Sequence, residues 1–258
     1  MIINPVRKAL LEQKVTLGTW LQAGNPAIAE IFANAGFDWL GTDFEHTDIN
    51  MKDFTAIARA IYGRGIIPLA RVSQNDTLEI RKALDNGARG VIVPLVNNAQ
   101  EAKRAVEAAK FPPQGVRGFS FCRANNWGID FDTYAQNAND DIAVVVMIES
   151  KEAAEAIDEI LEVEGVDGVF IGPYDMSGSY GIAGQTSAPV IQAACKKVIE
   201  ACKKHKKSAG IHVVKPTKAN IAQAIEQGFT FIALGVDIVF LDEGCRNALQ
   251  TAKQAMKA

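Results

Sequence analysis

Cysteine is scarce in this chain of 258 residues: four thiols, Cys122, Cys195, Cys202 and Cys245, with no CxxC spacing. They are too few and too scattered for a disulfide framework, so reduced thiols are expected. Neither sign of charge is in excess. With 27 Lys and Arg against 30 Asp and Glu, the net charge is -3 and the isoelectric point about 5.7. That removes the electrostatic case for nucleic acid or an anionic membrane as main partner. No apolar run approaches the roughly 18 residues of a membrane span, and no charged segment followed by a long apolar run opens the chain. A cytoplasmic protein is expected. A Pro/Ser-rich linker is also missing, so residues 1–258 read as a single domain. The 48% hydrophobic and 22% charged content belongs to a globular chain with a sizeable core.

What is present is alternation. Short runs rich in Val, Ile, Leu and Phe are followed by longer Ala-rich segments, the pattern of repeated βα units on a parallel sheet. Strands are expected over Thr16 to Gln22, Trp39 to Glu45, Ile67 to Val72, Gly90 to Val96, Ala143 to Glu149, Gly168 to Pro173, Ser208 to Val214 and Phe229 to Gly235. Helices are expected over Pro26 to Ala35, Met51 to Tyr62, Asp76 to Asn86, Ala99 to Ala109, Lys151 to Val163, Pro189 to Lys204, Thr217 to Gln227 and Asp242 to Met256. About eight such units close a (β/α)8 TIM barrel, with an extra N-terminal helix from Pro5 to Gln13 placed to plug its bottom. Gly36, Gly87, Gly165 and Gly228 recur where helices end before strands and read as turn glycines. Phe111 to Asp140 breaks the pattern, with no clear period, and a loop of that length is usually functional or interfacial.

Barrel chemistry sits at the C-terminal ends of the strands, and here those ends are polar. The second ends Asp43-Phe44-Glu45-His46, the third carries Arg71, the fifth ends in Glu149, the sixth leads through Gly172-Pro173-Tyr174 to Asp175, and the seventh holds His212. Glu149 closes an apolar run in which a carboxylate is costly unless paired or metal-bound. Asp175 stands beyond the adjacent strand, so the two carboxylates can share one cation. Oxygen ligands point to Mg²⁺ or Mn²⁺, with Co²⁺ a further candidate. The competing reading of Asp175 is a helix cap before Ser177. His46 is suited to proton exchange near neutral pH, or is structural. Arg71 suits a carboxylate or a developing enolate, and an ion pair with Asp43 or Glu45 is compatible with both. Arg123 in the irregular stretch is either solvated or a second anion contact. His205, in the patch Lys203 to Lys207, reads as a solvated helix end.

These residues and their surroundings resemble the class II pyruvate aldolases of the HpcH/HpaI family over nearly the whole chain. The resemblance is carried by Ala35-Gly36-Phe37-Asp38-Trp39-Leu40 with Asp43-x-Glu45-His46, by Ala83-Leu84-Asp85-Asn86-Gly87 and by Val93-Pro94-Leu95-Val96. Pro112-Pro113-x-Gly115-x-Arg117-Gly118 and Gly165-Val166-Asp167-Gly168-Val169-Phe170-Ile171-Gly172-Pro173-x-Asp175 complete it. It implies a divalent metal on Glu149 and Asp175, chelated by the carboxylate and keto oxygens of a 2-oxo acid. Backbone N–H groups near Tyr174 and Asp175, beyond Gly172, would hold that carboxylate. Arg71 would stabilise the pyruvate enolate, and His46, paired with Asp85 of a neighbouring subunit, would help a water act as base. The partners implied are a small 2-oxo acid, an aldehyde and further copies of the chain in a homo-oligomer with shared sites. Trp20 and Phe170 match the apolar side of the pyruvate pocket, and Arg123 matches a loop arginine at the aldehyde end.

Three departures bear on specificity. Met147 stands where well-studied members carry glutamine, Thr47 follows the histidine where Gly or Ala is common, and His212 replaces an apolar pocket residue. A polar His212 favours a hydroxylated substrate. The rival chemistries are a Schiff base on Lys215, which would need desolvation, and a CoA-thioester lyase, for which no basic cradle is found. A barrel that only binds a 2-oxo acid would not require this full set of groups.

Overall fold

Eight parallel strands close on one another in chain order, β1 to β8. They are β1 (Thr16–Leu21), β2 (Trp39–Asp43), β3 (Ile67–Arg71), β4 (Gly90–Val93), β5 (Ala143–Ile148), β6 (Gly168–Ile171), β7 (Ser208–Val213) and β8 (Phe231–Val236). The computed structural model describes residues 4–256. Helices α1 (Pro5–Leu11), α2 (Pro26–Ala35), α3 (Met51–Ala60), α4 (Thr77–Asp85), α5 (Ala99–Ala109) and α6 (Phe131–Asp141) alternate with the first five strands. They are followed by α7 (Lys151–Glu155), α8 (Ile157–Glu162), α9 (Pro173–Ser179), α10 (Pro189–His205), α11 (Lys218–Gln227) and α12 (Asp237–Ala255). This is a (β/α)8 barrel with an additional N-terminal helix.

Local chemistry sets the boundaries. Asn50 opens α3 with a reciprocal capping box to Asp53, and Asn25, Asp76, Asn98 and Thr217 each accept an N–H of the helix they precede. Gly36 and Gly228 end α2 and α11 at φ 91° and 104°, values open to glycine without strain, which turns the chain back toward the next strand.

Five expectations need correction. The run Lys151 to Val163 is two helices, because the chain breaks at Ala156, and Ala153, Ala154, Ile157, Ile160 and Leu161 from both pieces pack into the same core. The stretch Phe111 to Asp140 holds a 3₁₀ turn at Arg123–Gly128 and the helix α6. Only Tyr134, Ala138 and Asp141 of α6 are buried, too weak a stripe to read as a period. The last strand begins at Phe231, two residues late, and α12 begins at Asp237 rather than Asp242. Most other strands end a residue or two early.

Inside the barrel, large and small residues interlock. A side chain at Gly18 would meet the Trp39 ring at 2.0 Å, and one at Gly41 would meet the Trp20 ring at 2.7 Å, so each glycine is the space its neighbour's indole fills. Trp39 stacks on Phe231 at 4.2 Å, and Trp20 meets Phe170 edge-on at 5.5 Å nearer the mouth. Val6 and Leu10 of α1 join this interior cluster and close the bottom, where the Ser208 hydroxyl donates to the Leu10 carbonyl at 2.8 Å.

Near the bottom the Lys110 ammonium is buried and donates to the carbonyls of Asn139 (2.7 Å) and Ile142 (2.6 Å). Burial pulls its pKa down to about 8 from an unfolded value near 10.5. The charged form is therefore disfavoured on folding, a cost present in full below pH 8 and relieved as the pH climbs toward 10.5. Comparison with Lys110→Met in urea should show the parent gaining on the variant between pH 8 and 10, by about 3 kcal/mol at most. A difference constant with pH would mean that Lys110 titrates normally.

Candidate active site

Register builds the mouth. Asp43 is the partner of Arg71 across β2 and β3, so their side chains emerge together. Arg71 Nε donates to Asp43 Oδ1 at 3.0 Å and Nη2 to Oδ2 at 2.7 Å, a bidentate fork. Gln22 Nε2 adds a third bond to Asp43 Oδ2 at 2.8 Å. Burial would raise the Asp43 pKa, but the bonds and charge of Arg71, with Gln22 and the Glu45 amide, outweigh it and hold the group below the usual carboxylate range. Asp43 is fully buried and ionised, and its fork fixes the guanidinium of Arg71, leaving Nη1 beside Glu45. The guanidinium carbon lies 4.7 Å from the Trp20 ring centroid, which fixes its height.

Glu149 and Asp175 meet at Gly172. Ile148 pairs with Ile171 across β5 and β6, so Glu149 and Gly172 are the next residues on each strand. A side chain at Gly172 would sit 2.9 Å from the Glu149 Cβ, 3.2 Å from Glu149 Oε2 and 3.6 Å from Asp175 Oδ2. Both carboxylate oxygens thus border one small space that only glycine leaves open. Glu149 Oε1 accepts the Leu95 N–H at 2.7 Å, which leaves Oε2 for that space. Leu95 presents this N–H from a left-handed conformation, φ 54°, a cost usually borne only where the backbone group has work to do. Burial raises the Glu149 pKa, and the charges of Glu45 and Asp175 raise it further against the Leu95 bond. Asp175 lies in the first turn of α9, whose N-cap is Gly172, so the capping alternative for it does not hold.

Glu45 completes an acidic face. Its Oε2 lies 3.4 Å from Arg71 Nη1 and 3.4 Å from His46 Nε2, yet this buried oxygen accepts no hydrogen bond. Burial again raises its pKa, with Asp43 and Asp175 adding to the effect and Arg71 opposing it. His46, beyond the end of β2, is mostly exposed at the rim. On the far wall His212 meets Trp20 edge-on at 6.4 Å, and the Trp20, Phe170 and His212 rings line one side. Tyr174 is exposed above the mouth.

The mouth therefore gathers Trp20, His46, Arg71, Glu149, Phe170, Gly172, Tyr174, Asp175 and His212. It does not gather Asp85 or Arg123. Asp85 ends α4, at the opposite end of the same barrel, and takes the Arg117 Nη2 bond at 2.7 Å. Arg123 lies over Gly87 and donates to the carbonyls of Ala58 (2.9 Å) and Asn86 (3.4 Å), capping the C-terminal ends of α3 and α4. Neither reaches the site of its own chain. Lys215 is exposed in the turn after β7, without the desolvation a Schiff-base lysine needs, so that rival loses its basis. His205 bonds Asp158 at 2.7 Å on the outer surface.

Three contributors were not expected from the sequence: Gln22, the Leu95 amide, and Asp237, whose carboxylate accepts the N–H groups of Gln22 (2.9 Å) and Ala23 (2.8 Å). Asp237 follows the last strand as Asp175 follows the sixth, and a correct end for β8 would have exposed it.

Residues 16–242 match the HpcH/HpaI aldolase/citrate lyase family. A 4-hydroxy-2-oxo-heptane-1,7-dioate aldolase of Escherichia coli is 40% identical over 240 residues, covering 92% of this chain and 90% of the relative. The crystal structure of an HpcH/HpaI aldolase/citrate lyase family protein from Burkholderia cenocepacia superposes with a TM-score of 0.92 at 32% identity, covering 97% of this chain and 99% of that one. A citrate synthase, SbnG, superposes at 0.85 and 30% identity over 98% and 99%. The chain belongs to the HpcH/HpaI aldolase/citrate lyase family.

Proposed function

We propose that the protein is a divalent-metal-dependent aldolase that cleaves or forms 4-hydroxy-2-oxo acids through a pyruvate enolate. The observation that carries this reading is the space at Gly172 bordered by Glu149 and Asp175 and overlooked by an arginine that Asp43 has already oriented. The residues fit a hard cation: two carboxylate oxygens, Glu149 Oε2 and Asp175 Oδ2, converge where a Cβ is missing. Glu149 and Asp175 would hold Mg²⁺, Mn²⁺ or Co²⁺, and the ion would supply Lewis-acid polarisation of the 2-oxo group.

The chain's own groups do the rest. Arg71 directs its outer N–H groups at the oxygen that gains charge as the C3–C4 bond breaks, and Asp43 keeps them from reorganising. The N–H groups of Tyr174 and Asp175 face the substrate carboxylate. His46 takes up the C4 hydroxyl proton, through water, as the aldehyde departs and returns a proton to C3 of the enolate. Trp20 and Phe170 shield that carbon from bulk water.

We assign Asp85 and Arg123 to the site of a neighbouring subunit, Asp85 beside His46 and Arg123 at the aldehyde end. Supporting an oligomer, α12 has every residue from Leu241 to Met256 exposed, including Leu241 and Leu249, and leaves Ile31 of α2 and Ile225 of α11 uncovered. Among the described residues no helix is long and apolar enough to cross a membrane. The free thiols of Cys122, Cys195, Cys202 and Cys245 suit a reducing compartment such as the cytoplasm.

Incubation with 4-hydroxy-2-oxo-heptane-1,7-dioate should release pyruvate in the presence of Mg²⁺ or Mn²⁺, and chelator should abolish the release until metal is restored. Full activity after exhaustive chelation would overturn the metal assignment.

A further inference from the structure

On β7, a side chain at Gly210 would meet the Phe170 and Phe231 rings at 2.7 and 2.9 Å, so this residue faces the barrel interior. Two residues on, the period of a strand turns His212 to the same side, against Trp20 and toward the wall shared with Arg71. His212 Nε2 lies 2.9 Å from the Gly235 carbonyl oxygen. A carbonyl only accepts, so Nε2 carries the hydrogen. Burial first, and then the Arg71 charge, push His212 below the ordinary histidine pKa against the opposing pull of the Gly235 bond. The ring is thus neutral near pH 7, and Nδ1, which bonds no described residue, keeps its lone pair.

We propose that His212 is a specificity residue whose Nδ1 accepts a hydrogen bond from a substrate hydroxyl. A lone pair at this wall welcomes an O–H and rejects a carbonyl or carboxylate oxygen, which would set two acceptors face to face. The adjoining Trp20 and Phe170 rings carry no acceptor atom for that hydroxyl. Two substrate positions satisfy this chemistry: a hydroxyl on C3 of the 2-oxo acid, or one on the carbon next to the aldehyde. The inference rests on the aldolase reading above.

Matched pairs that exchange OH for CH₃ separate the two. Hydroxypyruvate is set against 2-oxobutanoate with one fixed aldehyde, and glycolaldehyde against propanal with pyruvate fixed. In one pair kcat/KM should favour the hydroxylated member about tenfold, the size of one net hydrogen bond. His212→Leu should bring that ratio close to one. His212→Gln should retain it, because its amide N–H can serve Gly235 while its carbonyl oxygen accepts. Calorimetric titration of the two oxo acids with Mg²⁺ present should show the same ratio without turnover if the hydroxyl is on C3. Metal-dependent turnover with no preference in either pair, or a preference that survives in His212→Leu, would overturn the role of His212 alone. A chain that neither binds nor turns over any of the four compounds would overturn the aldolase reading and this assignment with it.

Discussion

Arg71→Ala is expected to lower kcat/KM for retro-aldol cleavage by about 10²–10³, the usual consequence of removing one preorganised donor from a developing oxyanion. Metal affinity should stay close to that of the parent, since Arg71 bonds Asp43 and borders Glu45 rather than filling the space at Gly172. Glu149→Ala should behave differently. It removes one of the two oxygens at that space, so Mg²⁺ binding and turnover should fall together. Arg71→Ala also strands the buried Asp43, and a thermal melt should accompany the kinetics. Arg71→Lys, which keeps the charge and loses the fork, should recover part of the stability and little of the rate. Equal loss of metal binding in Arg71→Ala and Glu149→Ala would contradict the division of roles.

The second large effect is expected from the pair His46 and Asp85. Each of His46→Asn and Asp85→Asn should cost most of the activity, and the double variant should be little worse than the worse single, as for residues that act as one unit. Mixing the two inactive proteins under conditions of subunit exchange should restore activity, because some sites then combine an intact His46 with an intact Asp85 of the partner. Asn is preferred to Ala at position 85 for a structural reason. Arg117, fully buried, depends on Asp85 at 2.7 Å and on the Tyr134 hydroxyl at 3.0 Å, and deleting the carboxylate should cost about 3 kcal/mol of stability. Proven exchange without any rescue would limit Asp85 to its bond with Arg117.

Much of the barrel was legible because apolar strands alternate with longer helical segments throughout, and several units add a polar residue at the strand end, as at Asp43 and Arg71, or a helix with a capping side chain and a closing glycine, as in α2 and α11. Asp43, Arg71, Glu149, Asp175 and His212 stand out as polar residues at the mouth of an apolar core. Their meeting is also legible, since strand ends in a closed barrel converge. What escaped depends on tertiary geometry. The Leu95 amide orients Glu149 through a left-handed backbone that its own side chain does not announce. Gln22 looks like any polar residue after a strand until it is seen holding Asp43. Helix α6 is tied down by long-range bonds that no local period reports: Asp141 accepts from Arg89, and Asn139 exchanges two bonds with the Phe111 backbone. Arg123, which reads from the sequence as either solvated or an anion contact, also holds two helix ends.

Hydrogen exchange at C3 of pyruvate tests enolate formation at this site most directly, since it requires no aldehyde and no knowledge of the natural acceptor. With pyruvate and Mg²⁺ in D₂O, the methyl resonance should lose intensity well above the rate of a protein-free control. That exchange should stop on adding chelator, return with Mg²⁺ or Mn²⁺, and be nearly absent in Arg71→Ala. Exchange that persists at full rate after exhaustive chelation, with pyruvate trapped on Lys215 by borohydride, would contradict a metal enolate mechanism and reinstate the Schiff base.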